Sequence, residues 1–251
     1  MSLLEVKNVK KIYSTRFSGN KVVALSDVNL TVEQGEFVAI MGESGSGKTT
    51  LLNIIAAMDD ATSGEVFLNN TNIKDIKEKK LAEFRRREFG FLFQEFNLLD
   101  TFSVGDNIRL PLVLDGKKPS DIDNVVLPLA NKLGIKEILD KYPYEISGGQ
   151  KQRAACCRAV VMKPKLLLAD EPTGALDSKA TGELLHLFEE IHEDGQTILM
   201  VTHSVKAASY ASRVLFIKDG EVYHQIYRGD LSNHEFYNRI SDSLPVMLGG
   251  R

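Results

Sequence analysis

The most specific chemical pattern in the sequence is a glycine-rich loop over residues 42–50, GESGSGKTT. It fits the spacing G-x-x-x-x-G-K-[ST] and lies between the apolar run FVAIM and the helix-forming run LLNIIAAM. In that context backbone N–H groups surround a phosphate, the lysine neutralises the β- and γ-phosphates, and the threonine hydroxyl reaches Mg²⁺. The alternative is a Gly-Ser turn that only joins strand to helix. We predict nucleotide contacts from Gly42, Ser44, Gly45, Ser46, Gly47, Lys48, Thr49 and Thr50.

Two adjacent acids end a second apolar run, LLLADE, at Asp170 and Glu171. The leucines predict a buried strand, and its carboxyl edge is where open α/β sheets place their ligands. We assign Asp170 to magnesium, held through water, and Glu171 to orienting or deprotonating an attacking water. The alternative is plain solubilising charge.

Two further polar residues follow predicted strands, Gln94 after FGFLF and His203 after TILMVT. Gln94 could reach the metal or the water, and the His203 imidazole could hydrogen-bond the γ-phosphate and hold the water in place. A single histidine at a strand end is more often structural. The other four histidines show no metal-ligand spacing, so we predict no zinc site; they are His186, His192, His224 and His234.

A second candidate phosphate cradle, SGGQ, covers Ser147, Gly148, Gly149 and Gln150. It has no lysine at the place where the first loop has Lys48. A serine cap followed by two glycines at a helix start can bind an anion through N–H groups and the helix dipole. The residues alone do not say which anion.

The predicted secondary structure that must position these residues changes from strands to helices and then to an alternation of both along the chain. Residues 3–41 and 64–70 predict a sheet-rich opening, and residues 72–89 predict a charged helix. Its cluster Arg85, Arg86 and Arg87 favours a solvated face over a binding patch and is given no role. A strand follows, then helical patterns to about Lys141, which are punctuated by prolines. From Gln150 helices and strands alternate, which predicts a mostly parallel, helix-covered sheet. Asp219 and Gly220 predict a hairpin turn, and the tail from Gly229 a terminal helix with a frayed end.

Composition excludes several classes of function. The net charge of −3 gives no basic footprint, so no nucleic-acid partner is expected. The opening MSLLEVKNVKK is not an export signal, and the apolar runs are far shorter than the roughly 20 residues that span a bilayer. We therefore expect a cytosolic protein whose membrane role would need a partner chain. Cys156 and Cys157 are interpreted as small packing residues.

The ordered set GESGSGKT, Gln94, ISGGQ, LLLADE, GALD and His203 resembles the ATP-binding-cassette (ABC) ATPase family over nearly the whole chain. The resemblance implies an α/β P-loop NTPase fold: a RecA-like core with an antiparallel β lobe over about 1–93 and 150–228, a helical insert over about 94–149, and a tail over about 229–251. It implies ATP and Mg²⁺ as cofactors, with Mg²⁺ held by Thr49, Gln94 and Asp170. It also implies Tyr13 as the ring that stacks on adenine, although a packing or surface tyrosine is the alternative.

For SGGQ the resemblance implies that it binds the γ-phosphate held by a second copy, in an ATP-dependent head-to-tail dimer. In such a dimer Ser147 and Gly149 of one copy would cover the ATP of its twin. Glu171 and His203 would then position water for γ-phosphoryl transfer. The implied location is the cytoplasmic face of the cell membrane, through an integral membrane permease.

Longer stretches narrow the resemblance. EFNLLDTFSVGDNIRLPLVL and ADEPTGALDSK resemble macrolide-export and lipoprotein-release ATPases, and VTHSVKAASYASRVLFIKDG resembles bacitracin-resistance-type ATPases. The last implies antimicrobial peptides as cargo and a sensor histidine kinase as a further partner. A cell-division-type regulatory ATPase remains an alternative. Three other types fit the sequence less well. A DNA-repair ATPase needs long heptad arms, and a translation-factor type joins two cassettes in one chain. A monomeric small-molecule kinase needs no SGGQ.

Overall fold

The computed structural model describes residues 2–14 and 21–248, so the predicted frayed end of the tail lies outside the described residues. These residues divide into two units, one built from the described residues up to Lys77 together with those from Thr197 onward, the other from Glu78–Gln196. The predicted division into core, helical insert and tail stays a prediction.

The strands are β1 (Ser2–Ser14), β2 (Lys21–Glu33), β3 (Phe37–Met41), β4 (Ser63–Leu68), β5 (Thr71–Asn72), β6 (Phe89–Leu92), β7 (Leu166–Asp170), β8 (Thr197–Val201), β9 (Arg213–Lys218) and β10 (Glu221–Tyr227). The helices are α1 (Lys48–Ile55), α2 (Glu78–Glu88), α3 (Val104–Leu114), α4 (Pro119–Lys132), α5 (Gly148–Val160), α6 (Ser178–Glu193), α7 (Val205–Ala208) and α8 (Asn233–Leu248).

The first unit contains an antiparallel sheet in the order β2-β1-β4-β5. Leu4, Val6 and Val9 of β1 are almost fully buried, while the intervening charged residues face outward. This partial alternation is typical of an antiparallel sheet with one face on a core and one in water. The predicted sheet-rich opening is confirmed.

The same unit also contains strands in the order β10-β9-β3-β8, of which β3 pairs in parallel with both β8 and β9. Every residue of β3 (FVAIM) and of β8 (TILMV) is buried. Continuous apolar runs of this kind form parallel strands that are covered on both faces. The carboxyl ends of β3 and β8 therefore lead the chain into the glycine-rich loop and to His203.

The hairpin between β9 and β10 turns at the two residues predicted for it. Asp219 and Gly220 have φ angles of 51° and 78°, the left-handed pair that a type I′ turn requires. The turn is tied to β2, since the backbone N–H of Ser26 donates to Gly220 O at 2.9 Å and the Ser26 hydroxyl donates to Asp219 O at 2.7 Å. The predicted hairpin is confirmed.

The second unit pairs β6 with β7 in parallel and packs α5 against β6, α3 and α6. Several boundaries differ from the prediction. The helix expected from Gln150 begins at Gly148, and the charged helix over 72–89 is a 3-10 turn followed by α2. Pro111 lies inside α3 and does not end it: its missing N–H removes the one hydrogen bond that would run to Asn107 O, and the helix continues to Leu114.

The arginine cluster on α2 is more than a solvated face. Arg87 Nε lies 2.8 Å and Arg86 Nη2 3.5 Å from Oδ1 of Asp115, which is itself 7% exposed at the end of α3. Hydrogen bonding from Arg87 lowers the pKa of Asp115 despite its burial. The ion pairs thus fasten α2 to α3 within the second unit.

Across the described ranges 2–14 and 21–248, no helix has both the length and the apolar character needed to cross a bilayer.

The hairpin generates a stability prediction. A Cβ at Gly220 would lie 2.8 Å from both Leu25 Cα and Ser26 N, and the backbone there is left-handed. We expect Gly220→Ala to lower the free energy of unfolding by about 2–4 kcal/mol, through backbone strain and overpacking together. The matched control is Gly229→Ala, since Gly229 is also left-handed (φ 58°) but has nothing within 4 Å. Urea unfolding should show a smaller loss there, and equal losses would contradict the steric account.

Candidate functional site

The glycine-rich loop closes around the ammonium group of Lys48. Lys48 Nζ donates to Gly42 O at 2.9 Å and to Glu43 O at 2.8 Å, and the residue is only 8% exposed. Lys48 is the first residue of α1, which has no side-chain cap and no acidic residue in its first turn. The positive end of α1 and the buried cation therefore lie together.

Two glycines make this closure possible. A Cβ on Gly42 would lie 2.3 Å from Ile217 O, and one on Gly47, where φ is 97°, would lie 2.3 Å from Ala24 O. By contrast, Gly45 has nothing within 4 Å of its Cβ position. The loop is thus pressed against β2 and β9 at both ends and open in its middle, beside a cavity of about 270 Å³ lined in part by residues 43–46.

The loop also contains a polar atom suited to a ligand. The Ser46 hydroxyl oxygen is buried and has no hydrogen-bond partner. Buried polar groups in proteins are almost always paired, so the unpaired Ser46 hydroxyl at a loop of this type suits a hydrogen-bonding ligand. Together with Lys48 and the start of α1, it makes a donor-rich site that fits a polyphosphate.

Tyr13 and His203 belong to the same unit as the loop. Tyr13 is 43% exposed near the end of β1, and its hydroxyl donates to Asp59 Oδ2 at 2.7 Å. His203 is exposed two residues after the end of β8. It precedes Ser204, whose hydroxyl caps α7 by accepting from Ala207 N. Both of these predicted residues thus come from strand ends of the unit that carries the loop.

In the second unit, Gln94 lies beside the turn that follows the acid pair. A Cβ on Gly174 would be 2.9 Å from Gln94 Nε2, so the Gln94 side chain packs directly over that glycine. Glu171 has a left-handed φ of 45°, uncommon for a residue with a side chain, and its carbonyl accepts from Gly174 N at 3.0 Å. The parallel pairing of β6 and β7 therefore brings Gln94, Asp170 and Glu171 to one edge, as predicted.

Ser147 is the N-cap of α5. Its hydroxyl accepts from Gln150 N at 3.3 Å, and Gln150 Oε1 in turn accepts from Ser147 N at 2.9 Å. This reciprocal capping box fixes the SGGQ backbone, with Gly148 and Gly149 as the first helical residues. The predicted serine cap is confirmed.

Sequence reasoning missed Gln152 on the same helix. Gln152 is fully buried, its Nε2 donates to Pro172 O at 2.7 Å and to Phe93 O at 3.5 Å, and its Oε1 has no partner. Those carbonyls are next to Glu171 and Gln94 in the chain. Its sequence neighbours Lys151 and Arg153 are charged, so the local pattern carries no signal that would have found it.

Arg158, also on α5, was missed too. Its guanidinium donates to Phe96 O at 3.0 Å and Asn97 O at 2.5 Å, and both acceptor residues have positive φ angles, 62° and 49°. Burial lowers the pKa of Arg158. α5 therefore holds the segment after Gln94 in an uncommon backbone conformation.

The neighbouring cysteines have no such contacts with the site. Cys156 and Cys157 are buried free thiols, and burial raises the pKa of Cys156 to about 12. Among the described residues, no cluster of three or more histidine, cysteine or acidic side chains could hold a metal ion.

Comparison with known proteins decides the family. Residues 25–174 match the family model described as ABC transporter. The chain belongs to the ABC transporter family. It is 50% identical over 250 residues to the ABC transporter ATP-binding protein YxdL of Bacillus subtilis, covering 99% of this chain and 95% of the relative. It is 48% identical over 251 residues to the bacitracin export ATP-binding protein BceA of Halalkalibacterium halodurans, a match that covers 100% of this chain and 98% of BceA.

Solved structures agree with this ABC assignment. A dimeric structure of the cassette MJ0796 superposes with a TM-score of 0.81 at 38% identity, covering 89% of this chain and 98% of that one. A second MJ0796 structure, a dimeric post-hydrolysis state bound to ADP and phosphate, gives the same TM-score at 37% identity and the same coverage. The chain is thus an ATP-binding ABC ATPase with the predicted P-loop α/β fold.

Gln152 generates a prediction on both stability and turnover. Gln152→Met keeps the side-chain volume but leaves Pro172 O without its donor, which should cost about 1–3 kcal/mol of unfolding free energy. It should also lower kcat for ATP by about tenfold or more, since the backbone beside Glu171 and Gln94 loses its anchor. Thermal unfolding and steady-state ATPase assays measure the two effects.

The matched control is Gln196→Met, because Gln196 also donates to two backbone carbonyls, Pro164 O and Lys165 O, but is not fully buried. We expect a smaller stability loss and unchanged turnover. If Gln152→Met hydrolysed ATP at the wild-type rate, Gln152 would be a packing residue only.

Proposed function

We propose that this chain is the ATP-hydrolysing subunit of a membrane ABC transporter that handles antimicrobial peptides of the bacitracin type. The observation that carries the proposal is the end-to-end similarity to the bacitracin export protein BceA at 48% identity. The site supports the ATPase part, because a buried lysine, an unpaired Ser46 hydroxyl and the start of α1 converge on the loop.

Each predicted contact has a place in this ATPase. Lys48, Ser46 and the loop N–H groups bind the β- and γ-phosphates, and Ser44, Thr49 and Thr50 add hydroxyls. Tyr13 stacks on adenine; its partial exposure leaves ring surface for the base.

Thr49, Asp170 and Gln94 would hold Mg²⁺, since hydroxyl, carboxylate and amide oxygens are the hard ligands that this ion prefers. When bound, Mg²⁺ supplies charge neutralisation on the phosphate oxygens. Glu171 orients and deprotonates the attacking water, and His203 hydrogen-bonds the γ-phosphate.

A second copy completes the site. The cap at Ser147 and the glycines after it present N–H groups at the start of α5, and we propose that they bind the γ-phosphate held by the other copy. The similar MJ0796 cassette has a dimeric solved structure, which supports a pair of copies here. Loss of the γ-phosphate then removes the bridge and lets the pair open.

The opening and closing of the dimer would act on an integral membrane permease at the cytoplasmic face of the cell membrane. This proposal is supported by the similarity to BceA, which is named as an ATP-binding protein for bacitracin export. A sensor histidine kinase that contacts the permease is a further proposed partner, and its support is the resemblance to bacitracin-resistance systems.

Glu171→Gln tests the chemistry. We expect hydrolysis to fall by a factor of about 10² or more, because the base is lost while every phosphate contact remains. ATP binding should persist, and gel filtration with ATP should show a trapped dimer. The control is Glu190→Gln, the same change at an exposed position of α6, which should hydrolyse ATP normally. Wild-type hydrolysis by Glu171→Gln would refute the assignment.

The same pair of variants tests the physiological role. When each replaces the native gene in its host, Glu171→Gln should lower the bacitracin concentration that stops growth, and Glu190→Gln should leave it unchanged. Unchanged resistance with abolished hydrolysis would contradict the peptide-export proposal. It would favour lipoprotein release, macrolide export or a regulatory role that moves no substrate.

A further inference from the structure

Tyr13 belongs to a hydrogen-bonded group that includes Thr50 of the nucleotide loop and residues outside the motifs. Its hydroxyl donates to Asp59 Oδ2 at 2.7 Å, and Lys11 Nζ donates to Asp59 Oδ1 at 2.5 Å and to Asp60 O at 2.6 Å. The Lys11 ammonium also lies 4.8 Å from the centre of the Tyr13 ring. Asp59 thus binds two side chains of β1 at once.

Asp59 is fixed to the helix that begins in the nucleotide loop. Its backbone N–H donates to Asn53 O of α1 at 3.2 Å. The segment after it is joined to β1, since Thr62 N donates to Lys10 O at 2.8 Å and the Thr62 hydroxyl accepts from Ile12 N at 3.0 Å. Asp59 therefore links the ring of Tyr13 by hydrogen bonds to α1, the helix that begins at Lys48.

The protonation states suit this contact. Burial raises the pKa of Asp59, but the hydrogen bonds from Lys11 and Tyr13 outweigh it, and the net shift is downward. Burial, followed by the Asp59 hydrogen bond, raises the pKa of the Tyr13 phenol. The carboxylate therefore stays an acceptor and the phenol a donor over the neutral pH range, and the bond is charge-assisted.

A ring that stacks on a base binds more tightly when its side chain is already held in place. A half-exposed tyrosine rotates about two side-chain torsions, and ordering it on ligand binding reduces affinity. The bond at the para hydroxyl fixes where the ring lies. Lys11, over one face, restricts rotation of the ring plane and leaves the other face for the base. The cation on that face also attracts the ring electrostatically, which holds the two side chains together.

We propose that Asp59, with Lys11, is a positioning residue that fixes Tyr13 for stacking on the nucleotide base. This rests on the proposed function, in which Tyr13 stacks on adenine. It assigns to Asp59 a contribution to the affinity for the base and none to the affinity for the phosphates. A purine nucleotide and a bare polyphosphate must then respond differently to its removal.

The experiment measures dissociation constants for ADP and for inorganic pyrophosphate by calorimetry with the full chain. We expect Asp59→Ala to weaken ADP binding by about three- to tenfold, the effect of ordering one freed side chain, and to leave pyrophosphate binding unchanged. Asp59→Asn, whose amide oxygen can still accept from Tyr13, should recover much of the ADP affinity. Tyr13→Phe should weaken ADP binding similarly, and combining it with Asp59→Ala should add little.

Asp60→Ala is the matched control, because it removes the neighbouring carboxylate and keeps the carbonyl that Lys11 uses; it should bind both ligands normally. Equal weakening of both ligands by Asp59→Ala would show a general structural role and overturn the inference, as would unchanged ADP binding. Failure of the proposed function is distinguishable, because Tyr13→Ala would then bind ADP as the wild type does, or Lys48→Ala would still bind pyrophosphate.

Discussion

A buried positive charge at Lys48 is the constraint on which the nucleotide loop depends. An ammonium group removed from water is costly unless it is paired, and here Gly42 O and Glu43 O supply its partners. They reach it only because the chain doubles back over the start of α1, and Gly42 and Gly47 permit that path where a side chain would collide with backbone. The loop thus brings the Lys48 ammonium and the positive end of α1 to a site that suits an anionic ligand.

Side-chain donors that bind backbone carbonyls also organise the second unit. Gln152 and Arg158, both on α5, bind carbonyls on either side of Gln94, and Gln152 binds Pro172 O as well. Helix α5, which Ser147 caps, is therefore hydrogen-bonded to the two segments that carry the proposed water- and metal-binding residues. If the proposed dimer closes, these bonds would transmit a displacement of α5 to both segments.

Local patterns were sufficient to predict the loop, the buried strands that lead to Asp170 and His203, the Ser147 cap and the Asp219–Gly220 hairpin. Each depends on residues within a few positions of one another. Helix boundaries were less accurate: glycines disfavour helix interiors, and the first helical turn, where Gly148 lies, is the exception. The contacts of Asp59 with Tyr13, of Gln152 with Phe93 and of Asp115 with Arg87 join positions 46, 59 and 28 residues apart. No periodicity specifies such pairs, since tertiary packing decides them.

The central claim is that Ser147 of one copy completes the loop of another, and complementation between two defective copies tests it most directly. Lys48→Ala removes the phosphate contact, and Ser147→Arg blocks the covering half, so neither variant alone should form an ATP-dependent dimer. Mixed in equal amounts, each in the Glu171→Gln background with a different affinity tag, they should form a heterodimer with ATP, because one intact composite site is regenerated. Failure to form an ATP-dependent heterodimer, or a Ser147→Arg homodimer that forms normally with ATP, would contradict the claim.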